Sequence, residues 1–257
     1  MLPATAARVT AEFYDTDCET LAKELIGKVM VHVVNQKRVS GVIVEVEAYL
    51  GDDDKASHTY LGKQSQKNKS MYLPAGHVYI YKSFRGQNDC FNITSAKKEG
   101  VGAGVLIRAL EPVLENFDLM KQHRLGMNPS LKAENISKYN VCAGPARLCH
   151  ALKLSREEHD GIDMKQSEEI FLEELTISDR ACTSQRLDSS EMNIAEITVD
   201  SSKKQSTRYK IASCPRINID YAEEWKDKPL RFCWIERNAY LSCQVPIGFK
   251  NNWFHYP

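Results

Sequence analysis

The stretch Val42-Ile43-Val44-Glu45-Val46-Glu47-Ala48-Tyr49-Leu50-Gly51 reads as a strand, and its two faces set the terms for the rest of the chain. Alternation puts Ile43, Glu45, Glu47 and Tyr49 on one face and Val42, Val44, Val46 and Ala48 on the other. The second set asks for a core. The first holds a carboxylate two residues from a phenol, which could place a general base beside a stacking wall for a flat ligand. Spacing alone leaves a plainer alternative open, a half-exposed strand whose glutamates face water.

Working outward, Thr16 or Asp17 is placed to cap a helix carrying Leu21, Ala22, Leu25 and Ile26 on one side, with Gly27 at its end. Val29 to Val34 reads as a strand and Asn35-Gln36-Lys37 as the turn of a hairpin into the Glu47 strand. Asp52-Asp53-Asp54 opens a long polar loop to about Ser70, Leu73-Pro74-Ala75-Gly76 is a turn, and His77 to Tyr81 is a strand with Tyr79 and Tyr81 on one face. Phe91 to Ile93 and Gly104 to Ala109 add two strands. Pro112 is expected to begin a helix to about Arg124, stopped by Gly126, and Gly144-Pro145 to begin another with Leu148, Ala151 and Leu152 inward. Arg216-Ile217-Asn218-Ile219 and Leu230 to Trp234 read as closing strands. The polar stretch Thr183 to Thr207 reads as an insertion or mobile loop, the tail 245–257 is uninformative, and no internal repeat is visible.

At 257 residues the chain can bury a sizeable core, as one large domain or two small ones. Its 34 basic and 34 acidic residues cancel, which counts mildly against nucleic-acid binding. The distribution does not cancel: from Lys55 to Asn88 there are Lys55, Lys63, Lys67, Lys69, Lys82 and Arg85 and no acid, whereas acids dominate from Glu157 to Asp200. A basic face with an acidic back fits that pattern, as does ordinary solvated surface. The eight cysteines show no C-x-x-C pair and no His–Cys ligand spacing, so free thiols are expected. No signal-peptide core lies in Met1 to Phe13 and no run approaches a membrane span, which predicts a soluble, intracellular protein.

Val44-Glu45-Val46-Glu47-Ala48-Tyr49-Leu50-Gly51, His58, Val78-Tyr79-Ile80-Tyr81, Cys90-Phe91-Asn92-Ile93, Leu106-Ile107-Arg108-Ala109-Leu110-Glu111-Pro112 and Cys142-Ala143-Gly144-Pro145 occur in one order. In that order, from about Phe13 to Trp234, the chain resembles the alkyladenine (3-methyladenine) DNA glycosylase family. The resemblance implies one α+β domain over residues 1–257, a curved antiparallel sheet with flanking helices. It further implies hydrolytic removal of damaged purines from double-stranded DNA by a monomer needing neither metal nor cofactor, with the nucleus, or also the mitochondrion, as its place of work.

The resemblance also carries roles. Glu47 matches the family's catalytic glutamate, ionised at neutral pH and able to take a proton from water; without the family, Glu45 on the same face is an equal rival. Arg108 matches the arginine that helps position the water. Tyr49, His58 and Tyr81 match three rings that sandwich an extruded base, and Asn92 matches an asparagine that crowds a purine 2-amino group. Stacking contributes roughly 1–3 kcal/mol per base, against a flipping cost of a few. Lys63, Gln64, Ser65 and Lys67 lie in the segment resembling the family's backbone-contacting loop. Phe84 stands near the usual wedge tyrosine, but Phe84-Arg85-Gly86 departs from the family's Tyr-Gly, so Tyr79 or Arg85 are alternatives. No lysine lies in the Glu47 motif, which favours simple hydrolysis over a Schiff-base lyase. Two other classes compete: a non-catalytic nucleic-acid module of the same fold, and a small-molecule hydrolase using Glu47.

Overall fold

Asn35 and Gln36 both take positive φ, 49° and 63°. A two-residue turn of that hand matches the twist of the strands it joins, so it closes a tight hairpin. The hairpin joins β1 (Val29–Val34) to β2 (Lys37–Tyr49), in the computed structural model that describes residues 7–83, 86–95, 100–175 and 210–243. β2 is the spine. One edge pairs with β5 (Ala103–Pro112) along most of its length; the other pairs first with β1 and then, at Glu45 to Glu47, with β8 (Arg231–Trp234). Flanked on both edges and packed on both faces, β2 is buried at every residue from Val39 to Ala48. The half-exposed alternative is therefore wrong: Glu45 and Glu47 are both at 0% exposure.

The sheet is antiparallel throughout, in the order β3 (Val78–Ser83), β4 (Asn88–Ser95), β5, β2, β1, β6 (Ile170–Glu173), with β7 (Ile211–Cys214) joined through β8. The expected α+β class with flanking helices is what the structure shows. Asp17 is the cap of α1 (Cys18–Leu25), its side chain accepting the Thr20 N–H at 3.0 Å, and Leu21, Ala22 and Leu25 enter the core. α2 (Phe117–Met127) packs beside α3 (Pro145–Leu152), which also rests on β4 and β5; the short α4 (Arg156–His159) lies against β3.

Two sequence expectations fail for local reasons. The helix expected from Pro112 starts only at Phe117: β5 runs on to Pro112 because its apolar run stays paired with β2, and Pro ends a ladder without loss. Asn116, left-handed at φ 58°, then turns the chain into the helix. Arg216 to Ile219 is not a strand. Pro215 has no N–H to continue the ladder, Asn218 is left-handed at φ 60°, and the segment crosses the end of β2 as a loop. The stretch 183–207, the tail 245–257, Phe84 and Arg85 lie outside the described residues. The seven described cysteines are free, as the spacings predict.

Candidate active site

Where β2 leaves the sheet, the chain turns at Gly51 (φ 98°) into the loop that faces β3. Two side chains give this loop its shape. Asp54 accepts the Leu50 and Ala56 N–H groups at 3.0 Å each; Asn68 donates to the carbonyls of His58 (2.9 Å) and Lys63 (2.8 Å) and accepts Ser65 N–H at 2.8 Å. Between loop, β3 and the start of α3 lies a cavity of about 730 Å³. Its wall includes Tyr49, His58, Tyr81, Asn92, Arg108 and Ile217.

Rings dominate one side. His58 meets Tyr81 edge-on, centroids 4.6 Å apart at 85°, and its Nδ1 lies 2.8 Å from the Tyr79 hydroxyl. Tyr79 and Tyr81, alternating along β3, sit 6.0 Å apart as the strand period requires. Though His58 is exposed within the cavity mouth, the protein around it strips water from the ring and lowers its pKa, which keeps it neutral at pH 7. Burial holds the Tyr49 and Tyr81 phenols well above their ordinary range, so both remain donors. Asn92 spends its amide nitrogen on the carbonyls of Tyr79 and Cys90, both at 3.0 Å; only its Oδ1 acceptor is left for a ligand.

Behind this wall stand the two carboxylates. Glu47 accepts from the Tyr49 hydroxyl at 2.9 Å, from Arg108 Nη1 at 3.3 Å and from the Ile217 N–H at 2.8 Å. All three donors belong to residues of the cavity wall, while Glu47 itself does not reach it. Glu45 accepts from Arg231 at 2.9 Å, from Arg108 Nε at 3.3 Å and from the Ser242 N–H at 2.6 Å. Arg108 thus spans both glutamates. It does so at a break in the ladder: the register passes from Glu45–Ala109 to Val46–Ile107 and leaves Arg108 without a partner across the sheet, the local irregularity that re-aims a side chain. Burial opposes the Arg108 charge, but Glu47 and Glu45 outweigh it and hold the guanidinium charged.

A third buried pair fixes the far side. Arg216 holds Asp54 with two hydrogen bonds, of 2.5 and 2.8 Å, both side chains at 0% exposure, and donates to Ala48 O at 2.9 Å. Its guanidinium lies 4.7 Å over the Tyr49 ring. One residue on, the Ile217 N–H reaches Glu47, so a single loop both clamps the aromatic wall and orients the acid.

Residues 12–196 match the family model described as methylpurine-DNA glycosylase. The chain belongs to that family. A Bacillus cytotoxicus protein is 37% identical over 230 residues, covering 90% of this chain and 97% of its own length; one from Bacillus cereus is 39% identical over 90% and 96%. A Clostridium acetobutylicum protein is 35% identical over 91% and 97%. Each is named "Putative 3-methyladenine DNA glycosylase". All three are bacterial, and bacteria have no nucleus, so they lend no support to a nuclear location.

In this methylpurine-DNA glycosylase the structure gathers Tyr49, His58, Tyr81, Asn92 and Arg108 around one cavity, with Glu47 directly behind. Of the expected backbone-contacting residues, Ser65 and Lys67 line the cavity, whereas Lys63 and Gln64 are exposed outside it. Two cations of the basic run are engaged locally, Lys55 with Glu223 and Glu224 and Lys82 with Asp89 and Glu157. Asp54 and Arg216 were not legible in advance: an Asp-Asp-Asp turn and an arginine read into a strand signal nothing until folding brings them together. Arg156 was missed as well. It lines the cavity and holds the loop through the carbonyls of Gln66 (3.2 Å) and Lys67 (2.9 Å).

Proposed function

We propose that this chain is a monofunctional DNA glycosylase that draws a damaged purine, 3-methyladenine or 7-methylguanine and also hypoxanthine, out of the duplex into the 730 Å³ cavity and hydrolyses its N-glycosidic bond. Water attacks the anomeric carbon; the electrons of the breaking bond go to the departing base, and the proton of the water goes to Glu47. Glu47 also offsets the positive charge that grows on the sugar, and Arg108 positions the carboxylate and the water. Tyr49, His58 and Tyr81 stack on the base; a cationic alkylated base stacks better on electron-rich rings and leaves as a neutral product, whereas neutral hypoxanthine leaves neutral only by taking a proton from water as its bond breaks. Ser65 and Lys67 meet the backbone.

The observation that carries this reading is the convergence of three rings, an asparagine and an arginine from five separate segments on one cavity, with Glu47 held directly behind that arginine. Duplexes bearing one such lesion, incubated with wild type and Glu47→Gln, provide the test: abasic sites should form with wild type and be nearly abolished in the variant. Equal cleavage by both removes Glu47 from the mechanism.

A second reading draws on the full burial of Glu47 and its three donors, which hold the carboxylate away from solvent. A non-catalytic nucleic-acid module would tolerate that arrangement permanently, whereas hydrolysis requires water to reach Glu47 through the Tyr49–Arg108 wall. Tight lesion binding without abasic-site formation would favour the module.

A further inference from the structure

Outside the cavity, β1, α4 and the lead-in to β6 bring His32, His159 and Glu169 together, with ligand-type atoms all within 4.8 Å of one another. None of the three lines the cavity. Both histidines are buried, at 2% and 3% exposure, and their rings meet edge-on, centroids 4.9 Å apart. His32 Nδ1 lies 2.6 Å from the Leu152 carbonyl, while His159 Nδ1 lies 3.1 Å from both the Ser155 carbonyl and the Ser155 N–H, which can donate to it. A carbonyl only accepts, so the His32 proton sits on Nδ1. With the proton on Nδ1, a neutral ring presents Nε2 as a lone pair.

That lone pair faces Glu169 Oε1 at 3.3 Å, and His159 Nε2 faces the same oxygen at 3.9 Å. A carboxylate oxygen is also only an acceptor. A cation at the point where the two Nε2 atoms and this oxygen converge would satisfy all three, whereas a proton on His159 Nε2 satisfies only the longer His159–Glu169 contact. The His32 geometry, Nδ1 on a backbone carbonyl and Nε2 toward a shared centre, is the usual arrangement of a metal-ligating imidazole; His159 adopts it when its Nδ1 donates to Ser155 O. Ligands about 2.0–2.1 Å from a tetrahedral zinc stand roughly 3.3 Å apart, so the His32–Glu169 separation of 3.3 Å already fits and the other two, 3.9 Å and no more than 4.8 Å, close by side-chain rotation. The backbone of Glu169 is already tethered, its carbonyl accepting the Val33 N–H at 2.9 Å.

We propose that His32, His159 and Glu169 bind one divalent transition metal of the zinc type, with the half-exposed Glu169 leaving a fourth position to water. Two imidazoles and a carboxylate suit zinc over calcium or magnesium, which prefer all-oxygen shells. The bound ion clamps α4 to the β1–β6 edge. That clamp extends to the cavity wall: Arg156 of α4 holds the Gln66 and Lys67 carbonyls, and Asp160, just after it, accepts from Ile80 N–H at 2.8 Å and Ser70 Oγ at 2.6 Å.

The test uses chelator-stripped full-length protein titrated with Zn2+ and, as a spectroscopic probe, Co2+. Wild type should take up one equivalent, melt several degrees higher with zinc, and give the visible cobalt bands of a low-coordinate nitrogen–oxygen site. Glu169→Gln, a change at a half-exposed side chain, and His159→Asn, which retains a donor near Ser155 O, should each weaken uptake by more than about tenfold. If His159→Asn does not fold, Glu169→Gln decides alone. No stoichiometric uptake by wild type, or Glu169→Gln binding zinc as tightly as wild type, overturns the proposal. The second result would mean zinc held elsewhere, on a cysteine for example, or a plain hydrogen bond from a His159 Nε2–H to Glu169.

Discussion

Glu45 and Glu47 occupy the same face of the same strand, are buried to the same degree, accept three hydrogen bonds each and share Arg108. They differ in who else holds them. Glu45 is held by Arg231, itself at 2% exposure, and by the Ser242 backbone, both away from the cavity. Glu47 is held by Tyr49 and the Ile217 backbone, both part of the cavity wall. Residue type, burial and charge pairing do not tell the two acids apart, and the proposed division into a structural Glu45 and a working Glu47 rests on the address of their partners.

The strongest way to break that comparison is to neutralise each acid in turn. Glu47→Gln should lower the rate of lesion excision by about 10²–10⁴, the usual contribution of a positioned acid–base group, as read by single-turnover cleavage. Glu45→Gln leaves Arg231 short of an anion in the core and should cost roughly 3–5 kcal/mol of stability, seen by denaturant unfolding, while folded molecules still cleave. If Glu45→Gln abolishes cleavage in folded protein, the distinction fails.

Tyr49→Phe sharpens it further. Removing the hydroxyl that donates to Glu47 Oε2 leaves Glu45 untouched, so excision should fall by about ten- to a hundredfold, matching roughly 1.5–3 kcal/mol for a hydrogen bond to a charged group, with little change in the bonds around Arg231. Unchanged excision would show that the wall does not orient the acid.

Next in size is a pH effect. The His58 pKa is lowered by burial, so the folded protein holds fewer protons at this site than the unfolded chain as the pH falls below the ordinary histidine value of 6.5. Stability contributed by the neutral ring is present above that pH and declines below it, and the protonated ring repels a cationic base. Affinity for a cationic lesion should therefore fall on acidification, and His58→Phe should flatten the decline.

The smallest change touches neither acid. Lys67→Ala should weaken duplex binding evenly across sequences and reduce the salt slope by about one. An unaltered slope would leave that part of the cavity rim without phosphate contact.

The legible parts of the molecule are those whose signal is local. The Val29–Val34 strand and the β1–β2 turn follow from alternation and turn chemistry at neighbouring positions, and Asp17 caps α1 from three residues away. The Tyr79–Tyr81 pairing on one face follows from the two-residue period alone. What misled was equally local. Pro112 and Gly126 frame a plausible helix, and nothing nearby reveals that Pro112 stays paired with β2 and that the chain turns at Asn116 before the helix starts.

From residues and a family resemblance, the sequence by itself determined that Glu47, Arg108, the three rings and Asn92 belong together. Only the tertiary structure decided how: that Arg108 leaves its ladder to bridge two acids, that Arg216 reaches Asp54 across 162 positions to clamp Tyr49, and that the ligand-type atoms of His32, His159 and Glu169 lie within 4.8 Å of one another. The reason is physical. Periodicity records which way a side chain faces within its own element, while buried charges are satisfied by whatever partner folding brings near, and that partner leaves no trace in local sequence.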